Sequence, residues 1–112
     1  MNKKRWACIA IALGCCSFDA SALTGRPLGI VVVYNGVVVV NFPGPNRTDG
    51  PACVAAYPNR FAFNGNTDAG KAMLAVLLAA YAAGTQVTIA GDGNCSAWAD
   101  AETVSWLTTT GS

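Results

Sequence analysis

Residues 64–95 read NGNTDAGKAMLAVLLAAYAAGTQVTIAGDGNC, and the fold turns on how this stretch is parsed. Asn66 or Thr67 is placed to cap a helix, and Asp68 falls in the first turn, where the positive end of the dipole favours it. From Ala72 to Ala83 the only polar atom is the Tyr81 hydroxyl, and Gly84 supplies the left-handed residue that ends the helix. A helix over 67–83 follows. Met73, Leu77, Ala80 and Tyr81 share one face. Ala75, Ala79 and Ala82 form a smoother second face, apolar where a surface helix is polar. That makes them a candidate oligomer face. QVTIA at 86–90 then reads as a strand, and Gly91-Asp92-Gly93-Asn94 turns the chain into Cys95.

Working backwards, residues 28–33 and 37–42 are two β-branched runs joined at Tyr34-Asn35-Gly36-Val37. Asn-Gly favours a two-residue hairpin turn, because both of its central residues need positive φ. That register sets Val33 opposite Val38, Val32 opposite Val39 and Val31 opposite Val40. Both faces of this ribbon are apolar, so it is expected to be covered on two sides. Residues 43–51 (PGPNRTDGP) hold too many prolines and glycines for an element. Residues 60–63 (RFAF) read as a short strand. Beyond Cys95, residues 103–108 read as the last strand, with Val104 and Trp106 on one face.

The first residues stand apart. Lys3, Lys4 and Arg5 precede an uncharged apolar run from Trp6 to Cys16. Ala20-Ser21-Ala22 then offers the small residues that a signal peptidase reads. Residues 1–22 are therefore expected to be a bacterial-style signal peptide cleaved after Ala22, with 23–112 a single small exported domain, secreted or periplasmic. A lipoprotein reading through Cys15 is less favoured, because Ala12 stands where a lipobox has a Leu-like residue. The apolar run is too short for a stable membrane anchor, which needs roughly 20 residues.

Without the leader, four basic residues face five acidic ones, whereas the whole chain carries +1. No Lys/Arg stripe remains to neutralise a phosphate backbone, so nucleic acid is not an expected partner. Cys53 and Cys95 are the even pair left in an exported chain, and a disulfide between them is expected. In the chain-entropy account, closing that loop stabilises a small domain by about 4 kcal/mol.

Three strands, one helix and two more strands is the order of an OB-fold, a five-stranded Greek-key barrel. The expected class is therefore mainly β with one helix, an OB-fold-like barrel of order β-β-β-α-β-β with one disulfide. In plan, the chain resembles the B subunits of bacterial AB5 toxins of the heat-labile enterotoxin and subtilase cytotoxin types. The matching features are the leader, the pair Cys53 and Cys95, the helix over 67–83, and its exit Gly84-Thr85-Gln86-Val87-Thr88-Ile89 into a strand. The resemblance is architectural and implies a glycan-binding homopentamer whose helices line a central pore. No sugar-binding residue aligns, and this helix is richer in alanine than a water-lined pore.

Candidate chemistry is sparse. Gly65 to Ala72 (GNTDAGKA) imitates a phosphate loop, but Ala72 replaces the hydroxyl that would hold magnesium. Asp92-Gly93-Asn94 invites a calcium reading, yet Ala97 and Thr103 stand where an EF-hand needs Gly and Glu. The chain has no histidine, which removes imidazole bases and His-based zinc sites. Asp100 and Glu102 could pair for glycosidase chemistry in principle, but they are two residues apart and a small barrel offers little cleft. No metal, cofactor or enzymatic activity is expected. Asn46-Arg47-Thr48 and Asn94-Cys95-Ser96 match the glycosylation pattern but carry no weight behind a bacterial leader.

Among the aromatics, Trp106 reads as core and Trp98 as the more exposed. Trp98, Tyr57, Asp92 and Asn94 are the candidate ligand contacts. The expected function is a non-catalytic exported binding module for a glycan or protein, with homo-oligomerisation through the alanine face. The alternatives are a monomeric envelope structural or inhibitory protein and a small hydrolase.

Overall fold

A computed structural model describes residues 22–110. The expected leader, apart from Ala22, lies outside the described residues. The elements are β1 (Ala22–Gly25), β2 (Gly29–Val32), β3 (Val37–Asn41), a 3-10 turn (Ala52–Val54), β4 (Arg60–Asn64), α1 (Asp68–Ala83), β5 (Val87–Gly91) and β6 (Glu102–Thr109). Among the described residues the protein is mainly β, with one helix and one disulfide. The expected order is corrected: the described residues form six strands where five were expected, because the short stretch ALTG at the leader boundary forms β1.

The strands make one sheet in the order β1-β5-β6-β4-β3-β2, with β4 and β6 parallel and every other pair antiparallel. β1 and β2 are its edges and share no ladder, so hydrogen bonds do not close a barrel. Only Arg26, Pro27 and Leu28 join one edge strand to the other. That link spans at most ~14 Å from Gly25 to Gly29, whereas the edges of a flat six-stranded sheet lie ~24 Å apart. The sheet is therefore sharply coiled, and its edges converge where the link crosses.

The hairpin register also differs from expectation. Val32 pairs with Val38, Val31 with Val39 and Ile30 with Val40. Gly36 N donates to Val33 O at 2.8 Å, Val33 N donates to Val37 O at 2.9 Å, and Gly36 has φ +85°. This is a three-residue loop with a left-handed glycine at its third position, the next commonest hairpin after the two-residue turn. The Asn-Gly signal located the turn but not its length, and one residue of slip changes every pairing.

Two apolar clusters lie on opposite faces of the sheet. Val38, Val40, Phe61, Phe63, Val87, Ile89 and Val104 pack with Leu77 and Ala80 of α1. Behind them, Val37, Val39, Ala62 and Ala101 are covered by Val33, Ala97 and Trp98. The expectation of cover on both sides holds for β3. It fails for the free end of β2, an edge strand where Val31 and Val32 are 52% and 57% exposed.

The helix forms where its caps place it. Thr67 Oγ1 accepts from Gly70 N at 2.9 Å, and Gly84 is left-handed with φ +69°. Gly70 lets the helix start lie against β4: a Cβ there would sit 1.9 Å from Asn64 O. No helix of the described residues is long and apolar enough to cross a membrane.

Strict alternation breaks once, in β6. Ala90 pairs with Trp106 and Gly91 with Val104, so Ser105 is an extra residue, a β-bulge. Val104 and Leu107 therefore both reach the helix-side cluster although they lie three apart. Trp106 is turned to the outer face and is 49% exposed. The expectation that Val104 and Trp106 share a core face is corrected by this bulge.

Candidate functional site

A glutamate at a core position of a strand needs a partner, because an unpaired buried charge is expensive. Glu102 is fully buried, and Arg47 meets it, with Nη1 2.6 Å from Oε1. The contact is an ionic approach and not an aligned hydrogen bond: neither atom has a hydrogen-bond partner among the described residues. Glu102 Oε2 accepts from Gly93 N at 2.8 Å, and the Arg47 guanidinium lies 4.4 Å from the Phe61 ring centroid. Arg47 Nε also donates to Pro58 O. Gly91 makes room for the carboxylate, since a Cβ there would lie 2.1 Å from Glu102 Cδ.

The other candidate acid, Asp100, accepts from Arg60 Nη1 at 3.0 Å. Both carboxylates thus hold arginines. Arg47 and Glu102 together tie the loop over 43–58 and the turn at 92–94 to the sheet. Sequence reading missed Arg47. The available signal was Glu102 itself, two residues from Val104 on an inward face and in need of a cation.

The disulfide binds the same two segments. Cys53 in the 3-10 turn is bonded to Cys95, with Cα atoms 6.3 Å apart. Two further hubs fix these loops without charge. Asn59 donates to Pro45 O at 3.1 Å and accepts from Arg47 N at 3.1 Å. Thr103 Oγ1 accepts from Ser96 N at 3.0 Å and Ala97 N at 3.1 Å.

Between the hairpin turn, the β4–α1 turn and the loop after β5 lies a cleft of ≈ 500 Å³. Its apolar lining is Val37, Phe63, Met73, Ala97 and Val104. Its polar lining is Asn35, Asn64, Asn66, Thr67, Ser96 and Thr103, and among the described residues no charged side chain lines it. The walls are braced. Asn66 Nδ2 donates to Asn35 O at 2.9 Å, and Gly65 N donates to Gly36 O at 2.9 Å. Asn64 Oδ1 accepts from Asn66 N at 2.9 Å. The amide nitrogens of Asn35 and Asn64 and the amide oxygen of Asn66 have no partner among the described residues. The cleft is therefore lined by uncharged donors and acceptors together with apolar side chains.

The residues singled out from sequence are dispersed. Tyr57 lines a second cleft of ≈ 370 Å³ with Leu28, Asn41, Asn46 and Arg60, and the Arg60 guanidinium stacks 3.7 Å from its ring centroid. Trp98, Asp92 and Asn94 are not among the walls of that cleft. Trp98 is half-buried against the second cluster. Asp92 and Asn94 are exposed, and Asp92 Oδ1 accepts from Asn94 N at 3.1 Å. Ala75, Ala79 and Ala82 are all exposed on α1, beside Leu78 and Tyr81. Among the described residues, no three His, Cys, Asp or Glu side chains come together as a metal-binding group.

Searches of known protein families, of curated proteins and of solved structures found no match to this chain.

Proposed function

We propose that the protein is an exported, non-catalytic binding module that recognises a neutral glycan in the uncharged cleft. The carrying observation is the composition of that cleft among the described residues: six amide and hydroxyl side chains, five apolar ones and no charged one. Sugars present hydroxyls at their rims and C–H groups on their faces, and such a surface complements both. Small-ligand sites commonly combine an apolar lining with a few placed polar groups in this way. A phosphate-bearing ligand would call for cations that these walls lack.

The fold reading that goes with this is an OB-like barrel. β1 and β2 are taken as halves of one strand bent at Arg26–Leu28, so that five strands close on themselves. Support comes from the shortness of that link, the order β1-β5-β6-β4-β3-β2 and the parallel pair β4/β6. In this reading the hairpin turn and the loop after β5 join strands one to two and four to five. Those are the loops through which OB-folds bind oligosaccharides and oligonucleotides. Export is supported by the composition of residues 1–22 and by the disulfide. The likeness in plan to AB5 toxin B subunits belongs to the same reading, as does association through Ala75, Ala79 and Ala82.

The test is an array of neutral oligosaccharides probed with the disulfide-bonded protein and with Ser96→Tyr, which fills the cleft from an exposed position. Binding that Ser96→Tyr abolishes, with an unchanged circular dichroism spectrum, supports the site. No binding to any neutral oligosaccharide, or binding indifferent to the substitution, removes it. Light scattering across micromolar concentrations tests the association, which a strict monomer would refute.

A further inference from the structure

The β6 bulge has a chemical result on the face of the sheet away from α1. Without Ser105 as an extra residue, alternation from Glu102 and Val104 would carry Trp106 inward. With it, Trp106 stands outward over Ala90, which is fully buried. Bulges of this kind re-aim a side chain, and they concentrate near functional sites. The neighbouring row on the same face is Thr24, Thr88 and Thr108, one from each of three adjacent strands. Thr24 Oγ1 and Thr88 Oγ1 lie 2.8 Å apart, so two hydroxyls of the row are held in place by each other. Neither row contains a charge.

We propose that Trp106 and this threonine row form a second saccharide site, a stacking platform for a neutral sugar ring that is separate from the uncharged cleft. The half-exposed indole offers a flat apolar surface to the C–H face of a pyranose. The hydroxyls beside it face the ring's equatorial oxygens: all three keep acceptor lone pairs, the Thr24–Thr88 pair keeps one hydrogen to donate, and Thr108 Oγ1 donates to Thr109 O at 3.3 Å. An uncharged platform matches a neutral ring. A nucleobase would stack equally well on the indole, but its phosphates need flanking cations, and neither row supplies one. None of the four platform residues lines the cleft, so this site stands or falls independently of it.

The experiment is co-sedimentation of the disulfide-bonded protein with insoluble cellulose and chitin, beside the array of soluble neutral oligosaccharides. Trp106→Ala, Trp106→Tyr and Ser96→Tyr are run in parallel, each checked for an unchanged circular dichroism spectrum. A saccharide held on the platform loses about tenfold in affinity with Trp106→Ala, keeps most of it with Trp106→Tyr, and is indifferent to Ser96→Tyr. Control arms measure a single-stranded thymidine oligonucleotide at physiological salt and self-association by light scattering. The proposal is overturned if no saccharide binding depends on Trp106. It is also overturned if the tryptophan governs oligonucleotide binding or self-association instead. Binding that depends on Ser96 alone leaves the cleft standing and removes the platform.

Discussion

At the scale of single residues, the buried pair Arg47 and Glu102 is the feature most exposed to test. Removing one partner strands the other charge, so Arg47→Met alone is expected to cost ~3–5 kcal/mol, and Glu102→Leu alone a similar amount. Replacing both together removes both desolvation penalties, so the double variant is expected to be more stable than either single one. Urea denaturation of the four proteins checks this; additive losses would contradict it. Gly70 gives a second test, in which two principles disagree on sign. Helix propensity alone gives Gly70→Ala a gain of ~1 kcal/mol. A Cβ lying 1.9 Å from Asn64 O demands movement of backbone, so a loss of ~1–3 kcal/mol is expected in thermal melts. Neither feature was legible in the sequence. Glu102 calls for a cation only once it is seen to be buried, and nothing local chooses among four; nothing beside Gly70 in the sequence shows that β4 lies against it.

Among the elements, α1 was the most legible, because Thr67, Asp68 and Gly84 are local signals with local causes. The hairpin was half legible: Asn35-Gly36 marked the turn, but loop length depends on where in the loop the left-handed residue falls, and Gly36, with φ +85°, falls at the third position. β6 was misread, since period-two alternation carries no sign of an inserted residue. The bulge reverses the expected roles of the two tryptophans, and this is measurable. Trp98 covers the second cluster, and Trp98→Ala is expected to cost ~3 kcal/mol or more, as for a core aromatic. Trp106→Ala is expected to cost only about 1 kcal/mol, the ordinary effect of a partly exposed position. Chemical denaturation that ranked Trp106 above Trp98 would restore the alternating strand and remove the bulge.

Across the whole molecule, the sequence carried the class and the staple, while the number of strands and the identity of the sheet's edges depended on contacts it could not display. β1 was hidden in ALTG, and β2 looked like an interior strand because its valines do not say which neighbour is missing. The disulfide ties two loops whose other anchors are Asn59, Thr103 and the Arg47–Glu102 pair, so its loss is expected to weaken the fold without dissolving it. Cys53→Ala with Cys95→Ala should lower stability by about 4 kcal/mol in the chain-entropy account, read by denaturant titration. A loss under about 1 kcal/mol would mean that the unfolded chain is already restrained. The central claim is that the uncharged cleft binds a neutral saccharide. Its most direct test is a titration of isotope-labelled protein with the best array ligand, following backbone amide resonances. Saturable shifts concentrated at Asn35, Asn64, Asn66, Thr67 and Ser96 are expected. A titration that leaves those amides unmoved would contradict the claim.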